Sequence, residues 1–143
     1  MNKYQTILSE EYYGLLGTSL SIMIAVIVAI VFVFIIKRKI KNKQERTVSI
    51  VTFIVLILMM LCIAGYTTIG ALAIKKDLDN NLFVTYYGEY KLVYEGHFTV
   101  CYINNGTEQI ELRCLDIPSS GFETGTGYVI YSKNSLYVVD IYE

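Results

Sequence analysis

Residues 15–36, LLGTSLSIMIAVIVAIVFVFII, decide how this chain is built: 22 residues without a charge, closed by Lys37-Arg38-Lys39. An α-helix rises about 1.5 Å per residue, so roughly 20 apolar residues cross a hydrocarbon layer of about 30 Å. The stretch is too long for the apolar region of a signal peptide, about 7–15 residues, and its leading flank holds Glu10 and Glu11 rather than a basic cluster. A retained transmembrane helix is therefore expected over 15–36, after a short N-terminal tail over 1–14.

A second uncharged run, Val48–Ile74, ends at Lys75-Lys76-Asp77. It is longer than a crossing needs; tilt, or projection beyond the bilayer, would absorb the excess. The expected plan is thus helix 15–36, a basic loop 37–47, helix 48–74, a linker 75–81 and a domain over 82–143. A 143-residue soluble protein has too little interior to bury two helices that are apolar all round.

Charge is segregated along the chain. Lys37, Arg38, Lys39, Lys41, Lys43 and Arg46 face only Glu45 in the connection between the helices, whereas residues 75–143 carry five basic side chains and ten acidic ones. Basic short loops stay in the cytoplasm, which puts the N-terminus and the C-terminal domain outside. Tyr12 and Tyr13 stand where an outer aromatic belt belongs. Neither apolar run contains an ionisable group of the kind that ion and proton pathways need, so transport by this chain alone is not expected.

Small residues recur within the runs: Ser21, Ala25 and Ala29 in the first, and Ala64, Thr68 and Ala71 in the second. Such spacing lets helices approach closely. The favoured reading is that the two helices of one chain pack through these faces; the alternative is a homo-oligomer, or a partner membrane protein, docked on them.

From Leu82 onward the pattern turns to the two-residue alternation of strands. Strands are expected over Leu82–Tyr87, Glu89–Glu95, Phe98–Asn104, Glu108–Leu115, Gly127–Ser132 and Leu136–Tyr142, with hairpin signals at Asn105-Gly106 and Lys133-Asn134. This is a small antiparallel β-rich domain, either a barrel or a two-layer sheet. Ile117–Thr126, holding the only proline, is the longest stretch without periodicity and is expected to be a loop, with Pro118, Phe122 and Glu123 as candidate partner-binding residues. Nine of the 13 tyrosines fall in the domain, where the walls of a thin sheet are the commoner use for them and an interface is the alternative for any in excess of the core's need.

Cys101 and Cys114 flank the Asn105-Gly106 turn on one strand face, which makes them a candidate disulfide. A two-residue turn would put Cys101 opposite Ile110 and leave Cys114 out of reach. A bond requires a longer loop with Ile103 opposite Leu112, or another pairing. Cys62, inside the second run, counts as a small hydrophobe. The lone histidine, His97, has no ligand spacing around it, and neither a phosphate-binding glycine motif nor a dinucleotide-binding one is present. No cofactor and no enzymatic activity are expected, and an acidic domain repels nucleic acid. Asn105-Gly106-Thr107 matches the glycosylation sequon, a match short enough to arise by chance.

The expectation is a two-span membrane protein whose outer β domain binds a partner, as an accessory protein, an immunity protein or a receptor for an envelope component. The order of parts also resembles the two-span, β-rich effectors of bacterial cyclic-oligonucleotide defence systems. That resemblance lies in architecture alone and implies a cytoplasmic, ligand-sensing domain. A third alternative is a structural subunit of a larger membrane complex.

Overall fold

The computed structural model describes residues 3–95, 98–104, 106, 108–115 and 122–142, with the backbone alone at Phe122. Two long helices, α1 (Lys3–Lys39) and α2 (Lys43–Asn80), precede five strands: β1 (Phe83–Glu95), β2 (Phe98–Asn104), β3 (Gln109–Cys114), β4 (Phe122–Ser132) and β5 (Tyr137–Tyr142). Two compact units result. One is the helix pair Tyr13–Ala71; the other joins the first turns of α1, up to Tyr12, and the last turns of α2, from Leu72, to the strands.

Both helices outrun their expected bounds. Of the expected loop 37–47, only residues 40–42 interrupt the helices, because Asn42 caps α2. Its Oδ1 accepts from the Gln44 amide at 3.1 Å, and its Nδ2 donates to Glu45 Oε1 at 3.0 Å. The Asn42 side chain thus satisfies one free amide of the first turn and holds the acid three positions on. Lys37, Arg38 and Lys39 occupy the last turn of α1, where the helix dipole favours cations. The other end of α2 consumes the expected linker and stops at Asn81, which takes the left-handed conformation (φ 52°) of a C-terminal cap.

Within the helix unit, flanked by Ala25 on α1 and by Ser49 and Gly70 on α2, a row withdrawn from the surface runs through Leu15, Ser19, Ile22, Val26, Ala29, Val33 and Ile36 on α1, and through Ile50, Phe53, Ile57, Met60, Ala64, Thr67 and Ala71 on α2. Their spacing alternates between three and four, the 3.5-residue period of an antiparallel coiled-coil seam. The Ser19 and Thr68 hydroxyls meet across it at 2.9 Å. The helices therefore pack on each other, though not along the whole of the expected rows. Ala29, Ala64 and Ala71 are buried, Ala25 is half-buried and Ser21 faces outward, because a strict four-residue repeat drifts off a 3.5-residue seam. Ser21 instead donates to the Gly17 carbonyl at 2.8 Å. The remaining faces are large apolar side chains, with Ile27 60% and Phe34 62% exposed. Each helix is long and apolar enough to cross a membrane.

The strands form a closed barrel in the order β1-β2-β3-β5-β4. β1, β2 and β3 are successive antiparallel neighbours and β4 returns to lie beside β1, a Greek key. β5 runs antiparallel to β4 and closes the barrel against β3, to which it is parallel, pairing Arg113 with Tyr137 and Cys114 with Val138. The expected all-antiparallel sheet is thus corrected, and strand count is the reason. Six strands can close with every neighbour antiparallel, whereas an odd number leaves one parallel pair. The expected first two strands are one: β1 runs straight through Gly88, which pairs with Gly127 of β4.

The loop expected over 117–126 is corrected for residues 122–126, while 117–121 lie outside the described residues. Phe122–Thr126 belongs to β4 and pairs with Val93–Glu89. Gly125 lies under the Tyr90 ring; a Cβ there would sit 2.6 Å from Tyr90 Cζ, and the Tyr86 ring covers Gly88 in the same way. Aromatic rings over strand glycines replace the missing side chains and let the strands coil tightly enough to close a small barrel. β5 carries a bulge, with Val139 inserted between the residues opposite Tyr131 and Ile130.

The barrel core is Leu92, Cys101, Ile103, Leu112, Cys114, Val129 and Val138, with Tyr86, Tyr90 and Tyr131 packed against it. Burying a large apolar side chain contributes about 1.5–3 kcal/mol. The helix ends of this unit are fastened to the barrel. Leu8 and Ile74 are fully buried, the Tyr4 and Phe83 rings lie 6.1 Å apart, and the Tyr137 hydroxyl donates to Glu11 at 3.3 Å.

The principal tie is Asp77, also fully buried. Its carboxylate accepts from the Asn134 amide (3.0 and 3.1 Å), Asn134 Nδ2 (2.6 Å), the Ser135 amide (2.8 Å) and Ser135 Oγ (2.8 Å). It thereby organises the β4–β5 turn from the last turns of α2. Within that turn the Tyr137 amide donates to Ser132 Oγ at 2.9 Å, and Leu136 takes a left-handed φ of 58°.

Candidate functional site

Successive strand residues point to opposite faces, so register assigns the barrel's outer face. Thr126 pairs with Glu89, Thr124 with Lys91, Lys91 with Tyr102, Tyr102 with Glu111 and Asn104 with Gln109. These residues form adjacent rows across β4, β1, β2 and β3. All of them but Glu111, together with Tyr90, Ile103 and Gly125, line an open groove of about 650 Å³, within the range of small-ligand sites, about 300–1,000 Å³.

Tyr102 has a defined posture there. Its hydroxyl donates to Glu95 Oε1 at 3.2 Å. Glu95 lies four residues beyond Lys91, the residue opposite Tyr102, a distance of roughly 13 Å along the strand at about 3.3 Å per residue. Neither side chain covers that distance standing off the sheet, so the Tyr102 side chain runs along it toward Phe98, away from Asn104 and Gln109. Burial pushes the Tyr102 phenol above its ordinary range, and the Glu95 hydrogen bond and the charges of Glu95 and Glu111 push the same way.

A second aromatic group occupies the same outer surface over β5, β4 and β1. Tyr87, Tyr128 and Tyr142 are direct cross-strand neighbours, with ring centroids 4.7 and 5.1 Å apart. The rings pack across the strands, one pair tilted and one stacked, which stabilises the sheet by about 0.5–1.5 kcal/mol per pair, yet all three stay exposed, Tyr87 most of all at 64%. Together with Tyr86 and Tyr90 over the glycines, they account for much of the excess of tyrosine.

The candidate disulfide is two free, buried thiols. Asn104 pairs with Gln109, leaving residues 105–108 as the connection and setting Cys101 opposite Leu112 and Thr99 opposite Cys114. The observed register lies midway between the two-residue turn and the longer loop that a bond requires. The cysteines are diagonal neighbours, a placement with Cα atoms typically about 7–8 Å apart. Cys114 is held well above the usual thiol range by its hydrogen bond to Cys101, with burial adding to it.

Of the candidate binding residues, Glu123 is an exposed residue of β4 opposite Leu92, Phe122 begins that strand, and Pro118 lies outside the described residues, as do His97, Asn105 and Thr107. Glu123 is not among the residues that line the groove. Among the described residues, no three His, Cys, Asp or Glu side chains converge as a metal site. Sequence reasoning missed the groove residues and Asp77. The groove had one signal in the Thr124-Gly125-Thr126 alternation, which the nearby proline and glycines obscured. Comparison with known proteins finds no family model that matches the chain, no similar curated protein and no similar solved structure.

Proposed function

We propose that this chain is a two-span membrane protein that holds a small, non-enzymatic binding barrel outside the cell membrane. The observation that carries it is the helix pair. Its helices bury one narrow seam and leave every other face covered with leucine, isoleucine, valine and phenylalanine, a surface suited to lipid. The helix ends that belong to the barrel unit account for the excess length. The segments left, 13–36 and 48–71, are about 36 Å long at about 1.5 Å per residue, against a hydrocarbon core of about 30 Å.

Orientation rests on Lys37, Arg38, Lys39, Lys41, Lys43 and Arg46 between the spans, which favour a cytoplasmic connection and an outer barrel. The open groove supports a binding role, and the acidic surface favours a partner that is not anionic. Immunity and accessory roles both belong to this reading.

Labelling tests the arrangement. With Glu123→Cys in intact cells, an impermeant maleimide is expected to react, since Cys101 and Cys114 are buried. Protection until the cells are permeabilised would overturn the outer placement and favour the cytoplasmic, ligand-sensing alternative. A photo-crosslinker at Thr124 is then expected to capture a discrete extracytoplasmic partner. Equal capture from the Asp79 position would count against the groove.

A further inference from the structure

We propose that the ladder of Tyr87, Tyr128 and Tyr142 is the docking strip for an arginine-bearing segment of a partner protein, with Tyr87 stacking on the guanidinium and Glu89 taking its charge. This deepens the reading of the barrel as an outward-facing binding module and rests on it. A guanidinium is planar, weakly hydrated and always charged, so it stacks on an aromatic ring and donates to a carboxylate at the same time. A matching surface needs an open ring with a free carboxylate beside it.

The ladder supplies both. Tyr87, Tyr128 and Tyr142 are 64%, 40% and 45% exposed. Tyr128 covers one side of Tyr87, with ring centroids 4.7 Å apart. On the other side no described strand stands against Tyr87, because β1 pairs with β2 only from Tyr90 onward, and that side is left open. Glu89 follows two residues later on the same face of β1, about 7 Å along the strand. Its carboxylate has no hydrogen bond or ion pair among the described residues. The barrel already uses this chemistry internally, where the Arg113 guanidinium lies 4.6 Å from the centroid of the Phe98 ring.

Charge selects the partner. Register puts Thr85, Ile130 and Asp140 in the row on one side of the ladder and Glu89 with Thr126 on the other, so both charged side chains of the flanking rows are acids. Asp140 is held by Lys3 at 3.4 Å, which leaves Glu89 as the available one. The one base of β1, Lys91, stands two residues beyond Glu89, in a chain segment with ten acids to five bases. An anionic ligand would need a basic face instead. Tyr128 and Tyr142 are stacked with 20° between their planes, so they turn faces to each other and edges outward, a poor platform for a sugar ring. A free small cation would want a concave site, and none of the three tyrosines lines the groove. Glu89 and Thr126 do line it, so a polypeptide seated on the ladder continues into the groove. Exposed tyrosine is a preferred residue of such protein interfaces.

The test uses the full-length protein in nonionic maltoside micelles. The probes are end-blocked glycine-serine peptides of otherwise identical sequence carrying two arginines, two lysines or two glutamates, with decaproline and cellohexaose as ligands of other classes. Calorimetry and saturation-transfer NMR are the readouts. The arginine peptide is expected to bind about fivefold more tightly than the lysine peptide, and the glutamate peptide not at all. Tyr87→Ala is expected to weaken the arginine peptide about tenfold and Glu89→Gln about fivefold. Tyr87→Phe keeps the ring, and Glu111→Gln removes an acid outside the ladder and its flanking rows; each should change binding by less than about twofold. Glu89→Gln, an exposed change, carries the test should Tyr87→Ala fail to fold. The proposal is overturned if the arginine peptide does not bind, if the lysine peptide matches it, or if binding ignores both Tyr87→Ala and Glu89→Gln. Tighter binding of decaproline, cellohexaose or the glutamate peptide overturns it as well. A barrel that reacts with impermeant maleimide yet ignores the arginine peptide overturns this inference alone. A barrel protected from impermeant maleimide overturns the reading beneath it.

Discussion

Replacing Asp77 with alanine is expected to loosen the barrel from its helices more than any other single change on α2. The carboxylate is fully buried and receives the amides of Asn134 and Ser135 together with their side-chain donors. Alanine would strand two backbone N–H groups, at about 1–3 kcal/mol each, whereas the side-chain donors can rotate toward water. The loss is then about 2–6 kcal/mol, a large share of the about 5–15 kcal/mol that holds a typical domain. At about 4–8 °C per kcal/mol for a domain this small, Tm should fall by about 8 °C or more. Asp77→Asn keeps one acceptor but loses charge assistance, and should cost about half as much. Asp79, exposed two residues on, provides the control, and Asp79→Ala should stay within about 0.5 kcal/mol. The assay is thermal unfolding in detergent, followed by near-ultraviolet tyrosine dichroism, with hydrogen exchange read over residues 132–138. A Tm shift under about 4 °C, with exchange in that turn unchanged, would refute the assignment of Asp77 as the anchor.

Gly125→Val should drive a side chain into the Tyr90 ring and lower stability by about 1–3 kcal/mol; Tyr90→Ala in the same chain should recover part of that loss, as a double-mutant cycle of unfolding would show. In the helix pair, a Ser19→Cys/Thr68→Cys disulfide should form readily where the hydroxyls now meet at 2.9 Å. Ala64→Leu on the seam should slow that crosslinking, whereas Leu58→Ala, at a 57% exposed position, should not. Cys101 and Cys114 should resist maleimide in the folded protein and react once it is denatured, as mass spectrometry would report. Burial raises the phenol pKa of Tyr131 and of Tyr137 above 10.0, with Glu11 adding at Tyr137. The folded barrel then holds those protons more tightly than the unfolded chain. Their contribution is complete below pH 10 and declines as pH rises from there through the raised values. Unfolding between pH 9 and 12 should show stability dropping over that window, alongside a late-titrating class of tyrosinate absorbance; a flat profile would count against buried phenols.

The sheet shows how far local pattern reaches. Alternation located most strand residues, yet one glycine split β1 in two, and Pro118 with its neighbouring glycines hid the start of β4. Both errors share a cause. Gly88 and Gly125 look like breaks until the rings of Tyr86 and Tyr90 are seen lying over them, and β1–β4 register is what puts Tyr90 opposite Gly125. The groove was illegible for the same reason, since Thr124, Lys91 and Tyr102 become neighbours only when β4, β1 and β2 align.

What the sequence determined by itself is whatever depends on consecutive residues: two apolar helices, the charge between and after them, and a β-rich segment. Hydrophobic length and two-residue alternation are local, so they need no knowledge of partners. Tertiary structure alone decided the closure of the barrel, the parallel pairing that five strands impose, the heptad seam, the diagonal placement of Cys101 and Cys114, and the burial of Asp77. Each depends on residues that meet from distant parts of the chain. An aspartate following a run of apolar residues resembles a membrane boundary until the β4–β5 turn, 57 residues on, surrounds it with donors.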